Sequence, residues 1–131
     1  MTSGAVVLDA SAVLALLNNE AGAPTVAGRL EGASISAVNW SEVVQKAISL
    51  GVDKAPSDMR EEMAAVGLSV RDFSATQAEI AAGLWMSTRE VGLSLADRAC
   101  LALAVDMRAP VLTGDRAWQG LEIGVEVILI R

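Results

Sequence analysis

Four acidic residues are the side chains of this sequence best suited to chemistry: Asp9, Glu42, Asp97 and Asp115. The chain has no histidine and one cysteine, Cys100, which excludes a Cys–His or Ser–His–Asp nucleophile and a histidine–cysteine zinc site. Any reaction must therefore be carried out by carboxylates. Carboxylates gathered in one place need a hard divalent cation, and sites of this kind commonly act on phosphate esters.

The length and composition indicate a single folded domain that spans residues 1–131. Hydrophobic residues make up 53% of the sequence and the mean hydropathy is +0.44, which excludes a disordered chain. The longest apolar run, residues 5–17, is interrupted by Asp9 and Ser11, so no membrane span is expected. The N-terminus lacks the basic region of a signal peptide, and one cysteine cannot form an internal disulfide. We therefore expect a cytoplasmic protein.

The net charge of −6 argues against a polyanionic partner, because proteins that bind nucleic acid normally present a basic surface. The four acids account for most of this excess: 16 acidic residues less these four leaves 12 against 10 basic residues, a balance of −2. A divalent cation held among the four would offset part of their charge, which weakens the objection to a phosphate substrate. The excess of Ala, Val and Leu also predicts an apolar surface that a partner or a second copy of the chain covers.

Apolar runs alternate with helical patterns along the chain, which predicts an α/β fold whose mostly parallel sheet has helices on both faces. The predicted strands, in chain order, are residues 5–8, 33–37, 68–73, 110–113 and 125–130. The predicted helical segments are residues 12–17, 25–30, 38–50, 56–67, 75–90 and 95–107. Runs such as 6–8 and 127–129 are apolar throughout, as expected of strands buried on both faces.

All four acids fall where a parallel sheet gathers its ligands, beyond the carboxyl ends of the strands. Asp9 follows the first predicted strand directly, and Asp115 follows the fourth after a single glycine. Glu42 lies early in the helix after the second strand, and Asp97 lies in the first turn of the helix before the fourth. Right-handed crossovers bring these positions to one edge of the sheet. Their mutual repulsion predicts a bound Mg²⁺ or Mn²⁺, whose activated water would hydrolyse a phosphodiester.

Helix capping is an alternative interpretation for each acid. Asp9 and Asp115 each precede a helical turn, which they could cap. Glu42 and Asp97 each follow a capping-type residue by three positions, the spacing of a capping box, and those residues are Asn39 and Ser94. If capping were their only role, the chain would be a non-catalytic protein-interaction domain.

The chain contains three tryptophans, Trp40, Trp85 and Trp118, in a sequence with few other aromatic residues. Such residues can stack on RNA bases or anchor a protein interface. Core packing is the interpretation that we favour for all three, because burying an indole ring removes a large apolar area from water.

Four segments resemble the PIN-domain nucleases and, more narrowly, the VapC toxins of bacterial toxin–antitoxin pairs. They are VVLDASAVLALL at 6–17, SEV at 41–43, LAD at 95–97 and LTGDRAW at 112–118. Each segment alone is a weak signal, but all four occur in the family's order, and the resemblance covers nearly the whole chain. It implies a PIN-like three-layer sandwich with a five-stranded parallel sheet.

The resemblance also implies an activity and its partners. The expected activity is Mg²⁺- or Mn²⁺-dependent endoribonuclease cleavage of RNA. The expected partners are a second copy of the chain, in a homodimer, and a cognate VapB-type antitoxin that inhibits the toxin and also binds DNA.

The family's catalytic acids map onto the quartet defined above, with Asp9, Asp97 and Asp115 as the metal ligands. The family's hydroxyl near the last acid maps onto Thr113. Ser11 would position a metal-bound water, although a role in starting the helix is an equal alternative. Arg116 would contact phosphate, with a surface salt bridge as the alternative.

Overall fold

The computed structural model describes residues 5–131, and its five strands form one sheet in the order β3-β2-β1-β4-β5. Every neighbouring pair is parallel, which confirms the predicted fold class. The strands are β1 Val7–Leu8, β2 Ser34–Ser36, β3 Ser69–Arg71, β4 Val111–Thr113 and β5 Val127–Leu129. All five lie within the predicted segments and are shorter than them. The central position of β1, between β2 and β4, places Asp9 in the middle of the sheet's carboxyl edge.

Seven α-helices and one 3-10 helix connect and cover the strands of the described chain. The α-helices are α1 Ala10–Leu17, α2 Ala23–Ala27, α3 Ala37–Ser49, α4 Pro56–Ala65, α5 Ala75–Gly83, α6 Trp85–Thr88 and α7 Leu95–Met107, and the 3-10 helix is Arg116–Trp118. The bounds of α7 are those predicted from its sequence. Within residues 5–131, no helix is long and apolar enough to cross a bilayer.

The predicted helix 75–90 is wrong as one element, because the structure divides it into α5 and α6 at Leu84. The hydroxyls of Ser87 and Thr88 donate hydrogen bonds to the Leu84 carbonyl oxygen, at 3.2 and 2.7 Å. Serine and threonine hydroxyls that bond back to a carbonyl in this way commonly bend helices. The break separates α6 from α5, which packs closely on α7.

Two apolar cores, one on each face of the sheet, give the molecule its three layers. Leu8 points to one face and packs in a core with Val13 of α1 and Val43 of α3. Val7, the adjacent residue, points to the other face and packs in a core with Leu101 of α7. Successive strand residues point to opposite faces, so an apolar pair such as Val7–Leu8 joins both cores. This arrangement confirms the three-layer prediction.

Two burial predictions from the sequence are wrong. Strand β5, Val127–Leu129, is only partly buried because it lies at an edge of the sheet. Trp118 and Trp40 lie in the cores, but Trp85 in α6 is 47% exposed, and the Arg89 guanidinium lies 5.2 Å from its ring centroid. Neither the partial burial of β5 nor the exposure of Trp85 changes the placement of Asp9 at the end of β1.

The packing of α7 against the sheet predicts unequal effects for two leucines of the same helix. Leu101→Ala should lower the free energy of unfolding by about 2–5 kcal/mol, because Leu101 is fully buried and its truncation leaves a cavity. Leu95→Ala should change it by less than about 0.5 kcal/mol, because Leu95 is 58% exposed. Urea unfolding measures both values, and equal losses would contradict this placement of α7.

Candidate carboxylate site

The site is built around Asp9, which lies where β1 ends and α1 begins. Its side chain is buried, with 5% of the residue exposed, and it caps α1 by accepting a 2.9 Å hydrogen bond from the Ala12 amide. The same oxygen, Oδ1, accepts a hydrogen bond from Ser11 Oγ at 2.7 Å. The other oxygen, Oδ2, accepts one from Thr113 Oγ1 at 2.5 Å. Both carboxylate oxygens are therefore fixed in direction by the chain.

The two hydroxyls extend this network to the loop after β4. Ser11 Oγ accepts a 2.8 Å hydrogen bond from the Gly114 amide, and Thr113 Oγ1 accepts a 3.0 Å hydrogen bond from the Asp115 amide. The Thr113 hydroxyl therefore links the backbone amide of Asp115 to the Asp9 carboxylate. The structure brings Ser11 and Thr113 to Asp9. The roles that the resemblance implies for them stay predictions.

Asp9 is a buried carboxyl without a cationic partner. Burial raises the pKa of Asp9 above its ordinary value of 3.8, the hydrogen bonds from Ser11, Thr113 and Ala12 oppose that rise, and the negative charge of Asp97 adds to it. No ion pair within the described chain includes Asp9. The charged form of this group therefore lacks a counter-charge.

Asp97 takes part in the capping box that starts α7. The Ser94 amide donates to Asp97 Oδ2 at 3.0 Å, and the Asp97 amide donates to Ser94 Oγ at 3.1 Å. The capping prediction for Asp97 is confirmed. Because the cap uses Oδ2, Oδ1 remains available on a half-buried side chain.

The capping prediction for Glu42 is wrong. Helix α3 begins at Ala37, and its cap is Ser36, whose Oγ accepts a hydrogen bond from the Val38 amide at 3.2 Å. Asn39 and Glu42 therefore both lie inside the helix. Glu42 is exposed, and its Oε1 accepts a 3.1 Å hydrogen bond from the side-chain nitrogen Nδ2 of Asn39.

Asn39 is a residue of the site that the sequence interpretation missed. It is 1% exposed, and its Nδ2 also donates to the carbonyl oxygen of Ala96, the residue before Asp97, at 3.0 Å. The available signal was helical spacing, because Asn39 precedes the buried Val43 by one helical turn and so lies on the same face. A polar residue on an apolar helical face needs a specific partner.

The negative charges of three of the acids act on one buried residue of α7. The pKa of the Cys100 thiol is raised well above its ordinary value, first by burial and then by the negative charges of Asp9, Asp97 and Glu42. Three carboxylates from different elements therefore contribute to the electrostatic environment of one buried residue.

Asp115 joins the site through its backbone, while its side chain is exposed. Asp115 Oδ1 accepts a 2.9 Å hydrogen bond from the Ala117 amide and caps the 3-10 helix, as the capping interpretation predicted. Arg116 is exposed and forms no ion pair with the described residues. Its contact with phosphate stays a prediction.

The acids do not form a closed cluster of carboxylates in the described chain. Among residues 5–131, no group of three or more acidic or cysteine side chains is arranged tightly enough to hold a metal ion by itself. Asp97 acts electrostatically on Asp9, Asn39 joins Glu42 to the residue before Asp97, and Asp115 is linked through its backbone amide. Asp9 is the buried member of this set, and Glu42 and Asp115 are its exposed rim.

Comparison with known proteins identifies the fold family. A family model described as PIN domain matches residues 6–122. The chain belongs to the PIN domain family. The resemblance inferred from the four sequence segments is therefore confirmed at the level of the family. None of the curated proteins compared with this PIN domain matches it in sequence.

Solved structures support the same fold. A toxin–antitoxin complex from Klebsiella pneumoniae is 21% identical, with a TM-score of 0.73 over 96% of this PIN domain and 98% of that chain. VapBC from Salmonella typhimurium bound to DNA is 16% identical, with a TM-score of 0.70 over 96% and 98% of the two chains. VapBC2 from Rickettsia felis bound to a promoter DNA fragment is 17% identical, with a TM-score of 0.69 over 95% and 98%. At these identities the likeness shows the fold.

The donor set of this PIN domain fits a hard divalent cation. All the candidate ligands are carboxylate oxygens, which Mg²⁺ and Mn²⁺ prefer, and the caps leave one oxygen of Asp97 and one of Asp115 without a hydrogen bond from the described residues. Mg²⁺ keeps several waters and uses one or two carboxylates directly, so acids at a wider spacing can still serve it. A cation would also supply the counter-charge that Asp9 lacks.

In the metal-free PIN domain, the free energy of unfolding of Asp9→Asn relative to that of the wild type should rise as the pH rises above 3.8. A carboxyl whose pKa is raised by folding contributes stability below its unfolded-state pKa, and this contribution is lost as the pH rises through the folded-state pKa. The amide does not titrate. The free energy of unfolding of both proteins in chelator, from about pH 4 to about pH 7, isolates the effect of Asp9. If the difference between the two free energies of unfolding is constant over this range, or changes in favour of the wild type, the raised pKa of Asp9 is contradicted.

Proposed function

We propose that this PIN domain is an Mg²⁺- or Mn²⁺-dependent endoribonuclease and the toxin of a VapC-type toxin–antitoxin pair. The observation that carries the proposal is the buried Asp9 carboxylate, which has no cationic partner in the described chain and has Asp97 as a charged neighbour. Membership of the PIN domain family and structural likeness to toxin–antitoxin complexes support it.

Asp9, Asp97 and Asp115 would hold the cation. When bound, it lowers the pKa of a coordinated water and neutralises charge on the scissile phosphate. The hydrogen bonds from Ser11 and Thr113 hold the Asp9 oxygens in one direction before any ligand arrives, so little ordering is left for the moment of binding.

Glu42 is the carboxylate best placed to move a proton. Its Oε1 is held by Asn39, and its Oε2 has no hydrogen bond from the residues that the structure describes. Oε2 can therefore accept a proton from the attacking water, as a general base does. Arg116, exposed next to Asp115, would contact a phosphate of the RNA.

An antitoxin would find an apolar groove of about 220 Å³ between α1, α3 and α4. Its lining includes Leu17 and Leu50, which are 43% and 59% exposed, beside the buried Val43. An apolar groove between helices is the type of surface that receives an amphipathic helix. A homodimer would cover further exposed apolar side chains, such as Met86. The free thiol of Cys100 is buried, which is compatible with the reducing cytoplasm.

The nuclease proposal is tested by RNA cleavage with Mg²⁺, with chelator, and with Asp97→Asn. Asparagine can still accept the capping hydrogen bond from Ser94, so this change removes the charge and keeps the cap. We expect cleavage with Mg²⁺ and a loss of at least about 100-fold with chelator or with the variant.

The matched control is Ser74→Ala, which removes the cap of α5 and touches none of the four acids. It should lower the free energy of unfolding by about 1 kcal/mol and leave cleavage unchanged. RNA cleavage that persists both in chelator and in Asp97→Asn would contradict the proposal of a metal-dependent nuclease. Loss of stability without any metal-dependent activity would favour the non-catalytic interaction domain.

The antitoxin proposal is tested by co-expression with a short VapB-like reading frame adjoining the gene. Leu17→Glu and Leu50→Glu should each abolish co-purification of the antitoxin, because a charge in an apolar groove loses its hydration on binding. Both variants should retain RNA cleavage. Val91→Glu, 40% exposed and outside the groove, serves as the control and should bind normally. Undiminished binding by both groove variants would place the antitoxin elsewhere.

A further inference from the structure

Asn39 is buried at the contact between α3 and α7, beside the carboxylates and below the surface. Its Nδ2 group uses both of its hydrogens, one on Glu42 Oε1 at 3.1 Å and one on the Ala96 carbonyl oxygen at 3.0 Å. Ala96 immediately precedes Asp97 in the first turn of α7. One amide group therefore joins a carboxylate of α3 to the backbone beside a carboxylate of α7.

These bonds determine the orientation of the amide. Exchanging its nitrogen and oxygen would turn Oδ1 toward two acceptors, so the observed orientation is the one that satisfies both. The consequence is that Oδ1 is buried without a hydrogen-bond donor among the described residues. A buried acceptor without a partner destabilises the fold, and an apolar side chain of similar shape would avoid that cost. The benefit of the amide must therefore come from its two donated hydrogen bonds.

We propose that Asn39 is a positioning residue that sets the placement of Glu42 relative to Asp97 and thereby the geometry of the cation site. Glu42 is otherwise a long side chain on the exposed rim, with several rotamers open to it. Asp97 moves with the first turn of α7, which Asn39 holds through Ala96. This inference rests on the proposed metal-dependent function.

The chain offers a matched control in Gln77 of α5. Gln77 is also a buried amide, its Nε2 donates to Asp106 Oδ2 near the other end of α7 at 3.2 Å, and its Oε1 has no hydrogen-bond partner among the described residues. Both side-chain amides are buried, both donate to a carboxylate (Glu42 for Asn39, Asp106 for Gln77), and both have an oxygen without a hydrogen-bond partner among the described residues. They differ in that Gln77 lies away from the four carboxylates.

The test is the dissociation constant for Mn²⁺, measured by electron paramagnetic resonance on the full chain. Asn39→Leu should weaken Mn²⁺ binding by about 10- to 100-fold, the range found when residues that orient metal ligands are changed. Gln77→Leu should leave it within about two-fold, since sites that share no partner act independently. Both variants should show comparable thermal unfolding, so stability alone would not separate them.

A second comparison asks whether Asn39 acts through Glu42. In a Glu42→Gln background, Asn39→Leu should lower RNA cleavage by a smaller factor than in the wild type, because the proton-accepting carboxylate that Asn39 orients is gone, whereas its effect on Mn²⁺ binding through Ala96 and Asp97 should remain. If Asn39→Leu does not fold, Asn39→Ser replaces it, since a serine hydroxyl has one hydrogen and cannot bond both acceptors.

The outcomes separate the two proposals. Wild-type protein that binds Mn²⁺ no better than Asp97→Asn would overturn the metal site itself, and the role of Asn39 with it. Mn²⁺ binding that is strong in the wild type, lost in Asp97→Asn and unchanged in Asn39→Leu or Asn39→Ser would overturn only the positioning role. An equal loss in Gln77→Leu would show that the effect is one of general stability.

Discussion

The structure depends most on one unfavourable placement, the buried carboxylate of Asp9 at the centre of the sheet edge. Transfer of a charged group out of water costs free energy unless a counter-charge or hydrogen bonds offset it. Ser11, Thr113 and the Ala12 amide provide the hydrogen bonds, and within residues 5–131 no cationic side chain provides the charge. The other acids add no positive charge: Asp97 raises the pKa of Asp9 further, and Glu42 and Asp115 are exposed.

Helix capping and cation binding are compatible roles for these acids. Asp97 and Asp115 each use one oxygen for the cap, and the other remains free of the described residues. A cap also fixes the rotamer of the capping carboxylate, because its oxygen must reach a particular backbone amide. The caps at the start of α1, of α7 and of the 3-10 helix therefore each help to direct one carboxylate. The geometry that explains these residues as caps is therefore compatible with their proposed role as cation ligands.

Much of the fold was predictable because the sequence patterns and local physics agree. Helix α7 has Ser94 as its cap, a capping-box acid three residues later and nearly continuous apolar residues, and its predicted bounds are those observed. The parallel sheet followed from apolar runs that alternate with helices. The break at Leu84 was missed because it depends on hydroxyls that bond back to a carbonyl, a competition that apolar periodicity does not record.

The site was predictable only in part, because some of its contacts join residues that are distant in sequence. Three of the acids follow predicted strands and Asp97 begins the helix before the fourth strand, and these positions predict one edge of the sheet for all four. The hydrogen bond from Asn39 to Ala96 spans 57 residues, and no local pattern specifies it. The capping interpretation of Glu42 failed for a related reason: both Ser36 and Asn39 are good caps, and the end of β2 decided that the helix starts after Ser36.

The central claim is that the acids at the sheet edge form one site for a divalent cation. It is tested most directly by a crystal structure of the protein grown with Mn²⁺, with anomalous diffraction used to locate the metal. The account predicts anomalous density bordered by Asp9, Asp97 and Asp115, with Glu42 at its rim. Density found only at acids away from this edge, or none at a Mn²⁺ concentration that supports cleavage, would contradict it.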